Sequence, residues 1–187
     1  MKTSVVDGFR KRLLASPWQF FALLWRAHAA IFRAIFAGRG GRISRALAER
    51  VNLAVSGVSE CAYCSHLHAR LALESGVLDE EIRRILGGDL EGSPAEEAPI
   101  LAYAVHWAES GGRPETGARD RAVERVGEGV VRRAEAVMAA VYLGNLCGNA
   151  VEARSKGALP RGIGAFLAFL LAWPVAMVVK TWGRYPG

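Results

Sequence analysis

The side chains with the most chemical potential lie in one short stretch, "VSGVSECAYCSHLHAR" (residues 55–70). Cys61, Cys64, His66 and His68 fall within eight positions of it. Thiols and imidazoles at this density occur in metal sites, in haem attachment sites and in redox-active dithiols. Two buried thiols that happen to be close are the remaining alternative. The spacing and the surrounding sequence distinguish between these possibilities.

Metal and haem chemistry fit the spacing poorly. Attachment of c-type haem needs a histidine directly after the second cysteine, and Ser65 occupies that position. A structural zinc site needs four ligands, usually as two pairs. Cys61, Cys64 and His68 supply three, and no second pair follows. Thioredoxin-type motifs share the C-x-x-C spacing but lie in a βαβ context that this chain lacks. We therefore expect no metal and no cofactor.

Helix geometry favours a redox-active dithiol. Ser59 is predicted to cap the helix that carries the cysteines. Cys61 and Cys64 are three residues apart, so their sulfurs share one face within reach of a disulfide, and His68 lies one turn beyond Cys64. The start of a helix stabilises a thiolate. A thiolate with a resolving thiol and a nearby imidazole is suited to reducing a peroxide; the alternative is two buried cysteines and a core histidine.

Glu49 is the candidate base. It precedes Cys61 by twelve residues and lies on the preceding predicted helix. An antiparallel hairpin of the two helices would bring its carboxylate back toward the cysteine helix. Buried beside His68, it would fix the imidazole tautomer and assist removal of a thiol proton. The alternative is a solvent-facing glutamate beside Arg45 and Arg50.

The elements around this stretch are predicted to be helices throughout. Ala, Leu, Arg and Glu dominate, and strand-like alternation between turns is absent. A first amphipathic helix is predicted from Ser16-Pro17 to about Ala37, and a long late helix from about 129 to 153. Residues 162–179 carry no charge and predict a further apolar helix that either meets lipid or lies between subunits. The sequence thus predicts an all-α protein.

Composition sets broader limits. The chain has 187 residues, of which 51% are hydrophobic, with a mean hydropathy of +0.15. This is enough for one domain with a real core, and it is high for a free monomer, which favours a subunit interface or contact with lipid. Three unevenly spaced cysteines argue against a secreted disulfide scaffold. We therefore expect a cytoplasmic protein, with membrane association as an open alternative.

The charge is unevenly distributed along the chain. Residues 1–50 carry ten Lys/Arg against two Asp/Glu, whereas residues 51–110 carry three against ten. A basic first segment suits an acidic partner or anionic lipid, although a solvated surface is the simpler interpretation. No stripe of basic and aromatic residues indicates nucleic acid, so no nucleic-acid partner is expected.

The pattern E-x11-C-x2-C-x3-H and its surroundings, "RALAERVNLAVSGVSECAYCSHLHARLALESGVLDEEI", resemble the alkylhydroperoxidase AhpD-like group of the carboxymuconolactone decarboxylase superfamily. The resemblance implies the AhpD-like helical fold, with the C-x-x-C helix packed in a helical hairpin. It covers a core domain at residues 43–155. A basic amphipathic helical segment at residues 1–42 and an apolar helix at residues 156–187 would flank that core.

The resemblance also implies roles for the site residues. Cys64 would attack the peroxide, Cys61 would resolve the sulfenic acid as a disulfide, and Glu49 and His68 would relay the proton. Tyr63 stands where the family pattern has a histidine. The Tyr63 hydroxyl would then replace that histidine in the relay. Otherwise, we expect slower peroxidase turnover or a different physiological oxidant.

The implied partners are a hydroperoxide substrate and a dithiol reductant, such as a lipoyl-bearing or thioredoxin-like protein. The implied assembly is a homo-oligomer, a trimer or hexamer. Two other functions stay open. The superfamily includes decarboxylase and lactone chemistry, which leaves the dithiol unexplained. A non-catalytic, membrane-associated redox sensor would instead use the basic first segment and the apolar tail.

Overall fold

The computed structural model describes residues 11–14, 16–36 and 41–156, and within these ranges the only regular structure is helix. The prediction of an all-α fold is confirmed. The helices of this part of the chain are α1 (Pro17–Ile35), α2 (Arg45–Ser59), α3 (Ala62–Glu74), α4 (Asp79–Leu86), α5 (Ala98–Glu109), α6 (Thr116–Val126) and α7 (Glu128–Ser155).

None of these described helices combines the length and the hydrophobicity needed to cross a bilayer. The apolar stretch at residues 162–179, and with it nearly all of the predicted segment 156–187, lies outside the described residues.

Helices α2 and α7 form the centre of the fold. Helix α7 packs against α1, α2, α3, α5 and α6, while α2 also contacts α3, α4 and α5. Removal of apolar side chains from water at these contacts is the main stabilising term. The largest fully buried side chains include Val51, Leu53, Val55, Ile100, Leu101, Met138, Tyr142 and Leu146. Helix α1 covers α7 with four buried side chains, Phe20, Leu23, Ala27 and Ala30.

The start of α1 follows from local sequence. The Ser16 hydroxyl accepts a hydrogen bond from the backbone N–H of Gln19, and Pro17 occupies the first helical position, where a missing N–H costs nothing. The predicted start is therefore right. The helix ends at Ile35, two residues before the predicted Ala37.

Helix α2 is also fixed by contacts with α4 and with the start of α5. The Arg50 guanidinium reaches Glu81 at 2.7 Å and Glu97 at 3.2 Å, which ties α2 to α4 and to the start of α5. Near the end of α2, a Cβ on Gly57 would lie 2.7 Å from the backbone oxygen of Leu86. Glycine at this position allows α2 and α4 to approach that closely.

Helices α2 and α3 form the predicted antiparallel hairpin, but the cap differs from the prediction. Ser59 is the last residue of α2 and does not cap α3, which begins at Ala62 with Cys61 as its cap. The reason is that α2 continues through Gly57 and the chain then turns at Glu60, whose φ of 54° lies in the left-handed region. This turn places a cysteine where a serine was expected.

Residues 11–14, which we call the N-terminal strap, lie at the end of α7 and form no regular secondary structure. Lys11 forms an ion pair with Glu152 at 2.7 Å, and the Arg12 guanidinium donates to a backbone carbonyl near the end of α5 at 2.7 Å. The Asn149 side-chain amide donates to the Arg12 carbonyl oxygen at 3.0 Å. These bonds hold the strap beside the start of α3.

Candidate active site

The two cysteines of the motif meet at the N-terminus of α3. Their sulfurs lie 2.6 Å apart, and both are free thiols. The Cys61 sulfur also accepts a hydrogen bond from the backbone N–H of Cys64 at 3.3 Å. Cys61 is 1% exposed, whereas Cys64 is partly open to solvent. The pair is therefore close enough to form a disulfide with a small side-chain movement.

The electrostatics of the pair favour a thiolate on Cys61. A hydrogen bond from the Cys64 thiol lowers the pKa of Cys61 to about 7, helped by the Cys64 backbone N–H and the Lys11 ammonium and opposed by burial. The same hydrogen bond, together with burial, raises the pKa of Cys64. Above about pH 7 the pair thus holds one proton and one negative charge, and the charge passes to Cys64 if that proton moves across.

A buried carboxylate and an imidazole lie one turn further along the hairpin. Glu49, only 2% exposed, meets the Nδ1 of His68 through its Oε2 at 2.8 Å. The same oxygen accepts a hydrogen bond from the Asn52 side-chain amide at 3.2 Å. Two contacts from α2 and α3 therefore hold the carboxylate in place and orient the imidazole ring through its Nδ1.

The structure keeps Tyr63 apart from this group. Its side chain is 71% exposed, and no hydrogen bond joins it to another described residue. Position 63 lies on the solvent-facing side of α3, whereas positions 61, 64 and 68 lie on the side of α3 that faces the protein. Glu49 thus contacts His68, Cys61 contacts Cys64, and the two pairs lie one turn apart along α3, whereas Tyr63 joins neither.

The third cysteine lies close by but has a different environment. Cys147 on α7 is buried, and burial first, then the charge on Cys61, raises its pKa to about 12. It is therefore protonated at neutral pH and a poor nucleophile. Its environment is that of a packing residue in the core.

Gly148 on α7 is a site residue that sequence reasoning missed. A Cβ added there would lie 2.6 Å from the Cys61 sulfur and 3.5 Å from the Cys64 sulfur. Only a glycine leaves room for both sulfurs against α7. The one available signal was a glycine inside a long predicted helix, a position that costs about 1 kcal/mol relative to alanine and therefore calls for a reason.

Asn149 is a second residue whose role the sequence did not indicate. Its buried side-chain amide donates to the Ser59 carbonyl at 2.8 Å as well as to the Arg12 carbonyl. It therefore fastens both the α2–α3 turn and the N-terminal strap to α7. Its neighbour one turn earlier, Asn145, accepts a hydrogen bond from the Ser56 hydroxyl at 3.2 Å. These amides fix the turn that presents Cys61.

Metal-binding groups are not clustered in the described part of the chain. No group of three or more His, Cys, Asp or Glu side chains there is arranged to hold an ion. The reactive groups that the structure brings into contact there are a thiol pair and a carboxylate–imidazole pair.

Fold and site together define an all-helical protein with a cysteine pair at a helix N-terminus. Residues 21–110, from α1 to the end of α5, match the model of the carboxymuconolactone decarboxylase family. The resemblance to the AhpD-like superfamily drawn from the motif is thereby confirmed over these residues. Searches of curated proteins and of solved structures find no significant match.

Proposed function

We propose that the protein is a thiol-dependent peroxidase that reduces organic hydroperoxides through the Cys61–Cys64 pair. The observation that carries this proposal is the contact between the two sulfurs at a helix N-terminus, where one thiol already has a pKa near 7. A nucleophilic thiolate and a resolving thiol in contact are what two-electron reduction of a peroxide requires.

The reaction has two steps on the protein. A thiolate attacks one oxygen of the hydroperoxide, the O–O bond breaks, an S–O bond forms, and the alkoxide leaves as the alcohol after taking a proton. The second thiol then attacks the sulfenic sulfur, so that an S–S bond forms and water leaves. By the family pattern, Cys64 attacks the hydroperoxide and Cys61 resolves the sulfenic acid. The partial exposure of Cys64 supports this order. Because Cys61 has the lower pKa, a proton has to move from Cys64 to Cys61 before the attack.

Glu49 and His68 are proposed to handle the protons. His68 follows Cys64 by one helical turn, and Glu49 fixes its ring through Nδ1, which leaves Nε2 free to exchange a proton on the thiol side. The Asn52 amide keeps the carboxylate from turning away. In this arrangement, the Cys64 proton moves to Cys61 before the attack, and His68 passes a proton from solvent to the leaving alkoxide.

An external dithiol is needed to complete the cycle. It opens the Cys61–Cys64 disulfide by exchange and is itself oxidised to a disulfide, so that one hydroperoxide and one dithiol yield alcohol, water and disulfide. A lipoyl-bearing or thioredoxin-like protein is the proposed reductant. If this exchange is the physiological reaction, the same pair serves as a disulfide reductase. A homo-oligomer, as a trimer or hexamer, is the proposed assembly.

Two other functions rank lower. Decarboxylase or lactone chemistry, after which the family is named, has no use for two sulfurs in contact. A redox sensor without turnover would use the same disulfide, and it differs from an enzyme because it would react once and not cycle with a dithiol in excess.

The test is consumption of cumene hydroperoxide by the full-length protein with dihydrolipoamide as reductant. We expect multiple turnovers by the wild-type protein, loss of turnover in Cys64→Ser, and wild-type rates in Cys147→Ser, the matched control. A wild-type protein that oxidises once and stops would favour the sensor. A protein that consumes no hydroperoxide at all would remove the peroxidase proposal.

A further inference from the structure

Helix α1 has a second apolar face that covers nothing in the described structure. Opposite the side chains buried against α7, five aromatic residues line one stripe at spacings of three, four and seven positions. We call this stripe the outer aromatic face; its members are Trp18, Phe21, Trp25, Phe32 and Phe36, and Trp18 and Trp25 are 82% and 76% exposed. Some of their rings contact each other, as in the pair Phe32–Phe36 with centroids 4.5 Å apart.

The charges around this face have one sign. Helix α1 contains no acidic residue, and of its two arginines Arg33 is exposed at the border of the stripe, whereas the Arg26 guanidinium donates to the Gly112 carbonyl. Within residues 1–50 only two acidic residues oppose ten basic ones, and one of the two, Glu49, is buried in the active site. An aromatic face with a basic border complements a surface that is apolar inside and anionic at its edge, as a bilayer with acidic headgroups is.

The described chain also ends near the beginning of α1. The N-terminal strap, which leads into α1, is bonded to the last turns of α7, so α7 ends beside the beginning of α1. The sequence that follows α7 contains eighteen uncharged residues, 162–179, between Arg161 and Lys180. An apolar stretch of this length suits the hydrocarbon layer, and the described chain before it ends near the beginning of α1, the helix that carries the outer aromatic face.

We propose that the outer aromatic face of α1 rests on the surface of a bilayer that contains anionic lipid. A second copy of the chain is a poorer occupant, because a symmetric contact through this face would bring two basic borders together. Tryptophan and phenylalanine enter the interface while the exposed Arg33 contacts headgroup phosphates. This inference is independent of the proposed peroxidase chemistry.

The test is flotation of the full-length protein with vesicles of phosphatidylcholine, with and without about a quarter of phosphatidylglycerol. The wild-type protein should float with the anionic vesicles, and less so in high salt. The double variant Trp18→Ser/Trp25→Ser should bind at least about tenfold more weakly. Both tryptophan side chains are exposed in the free protein and are removed from water only in the vesicle-bound state, so the substitutions weaken binding. Leu78→Ser, at another exposed hydrophobic side chain outside α1, is the matched control and should bind as the wild type does.

Helix content by circular dichroism and mass by light scattering complete the experiment. The proposal holds if the double variant keeps the helix content and the mass of the wild-type protein while vesicle binding falls. It is overturned if the wild-type protein does not float. It is also overturned if the double variant floats as well as the wild-type protein does, or if the substitutions change the oligomeric mass, which would assign the face to a second copy.

Discussion

Replacing Gly148 by alanine tests whether the contact between α7 and the sulfurs sets the reactivity of the site. The new Cβ would lie 2.6 Å from the Cys61 sulfur, whereas ordinary contact begins at 3.4 Å. One of the two atoms therefore has to move by about 0.8 Å. Rotation of the Cys61 side chain is the easiest movement, and it breaks the bonds of its sulfur to the Cys64 thiol and N–H.

The expected result is loss of reactivity without loss of fold. Misplacement by about 1 Å costs up to about a hundredfold in rate, so Gly148→Ala should slow hydroperoxide reduction by ten- to a hundredfold. The pKa of Cys61 should rise, since both hydrogen bonds that lower it are weakened. The rate of iodoacetamide alkylation against pH reports that pKa, and a coupled assay with dihydrolipoamide reports turnover.

Gly144 provides the matched control in the same helix. A Cβ at Gly144 meets nothing within 4 Å, so Gly144→Ala should raise the free energy of unfolding by about 1 kcal/mol and leave the thiols unchanged. If the alkylation rate and the turnover rate of Gly148→Ala lie within about twofold of those of Gly144→Ala, the close contact with Cys61 does not control the reactivity of the site, and the reasoning fails.

Three further predictions concern the groups around the pair. Glu49→Gln should slow turnover by about a hundredfold with little change in thermal unfolding, because the oriented imidazole is lost while the amide still fills the site; equal rates would remove the relay. Tyr63→Phe should change the rate by less than about threefold, because the hydroxyl is in solvent, and a larger loss would return Tyr63 to the relay. Lys11→Gln should raise the pKa of Cys61, because the Lys11 ammonium lowers that pKa. The midpoint of alkylation against pH should then lie above pH 7, and an unchanged midpoint would contradict the electrostatic role of the strap.

The parts of the fold that the sequence predicted depend on local interactions. Ser16 and Pro17 predict the start of α1 because a cap and the helix that it caps are only a few residues apart in the sequence. The approach of Glu49 to His68 also follows from local geometry, since two helices joined by a short turn pack antiparallel. The roles of these residues in catalysis stay predictions.

The parts that escaped prediction depend on distant contacts or unusual backbone. The cap moved from Ser59 to Cys61 because Glu60 adopts a left-handed conformation, which residues other than glycine rarely do. Gly148 and Asn149 act on a turn about ninety positions earlier in the chain. No periodicity or spacing within α7 reveals such a contact, because it arises only when α2, α3 and α7 are packed together.

The central claim, that Cys61 and Cys64 cycle between thiols and a disulfide, is tested most directly by counting thiols under denaturing conditions before and after one equivalent of hydroperoxide. The reduced chain has three free cysteines. The account predicts that two thiols disappear, that peptide mapping joins Cys61 to Cys64, and that Cys147 stays free. Three thiols remaining after the peroxide has been added, or a disulfide that includes Cys147, would contradict it.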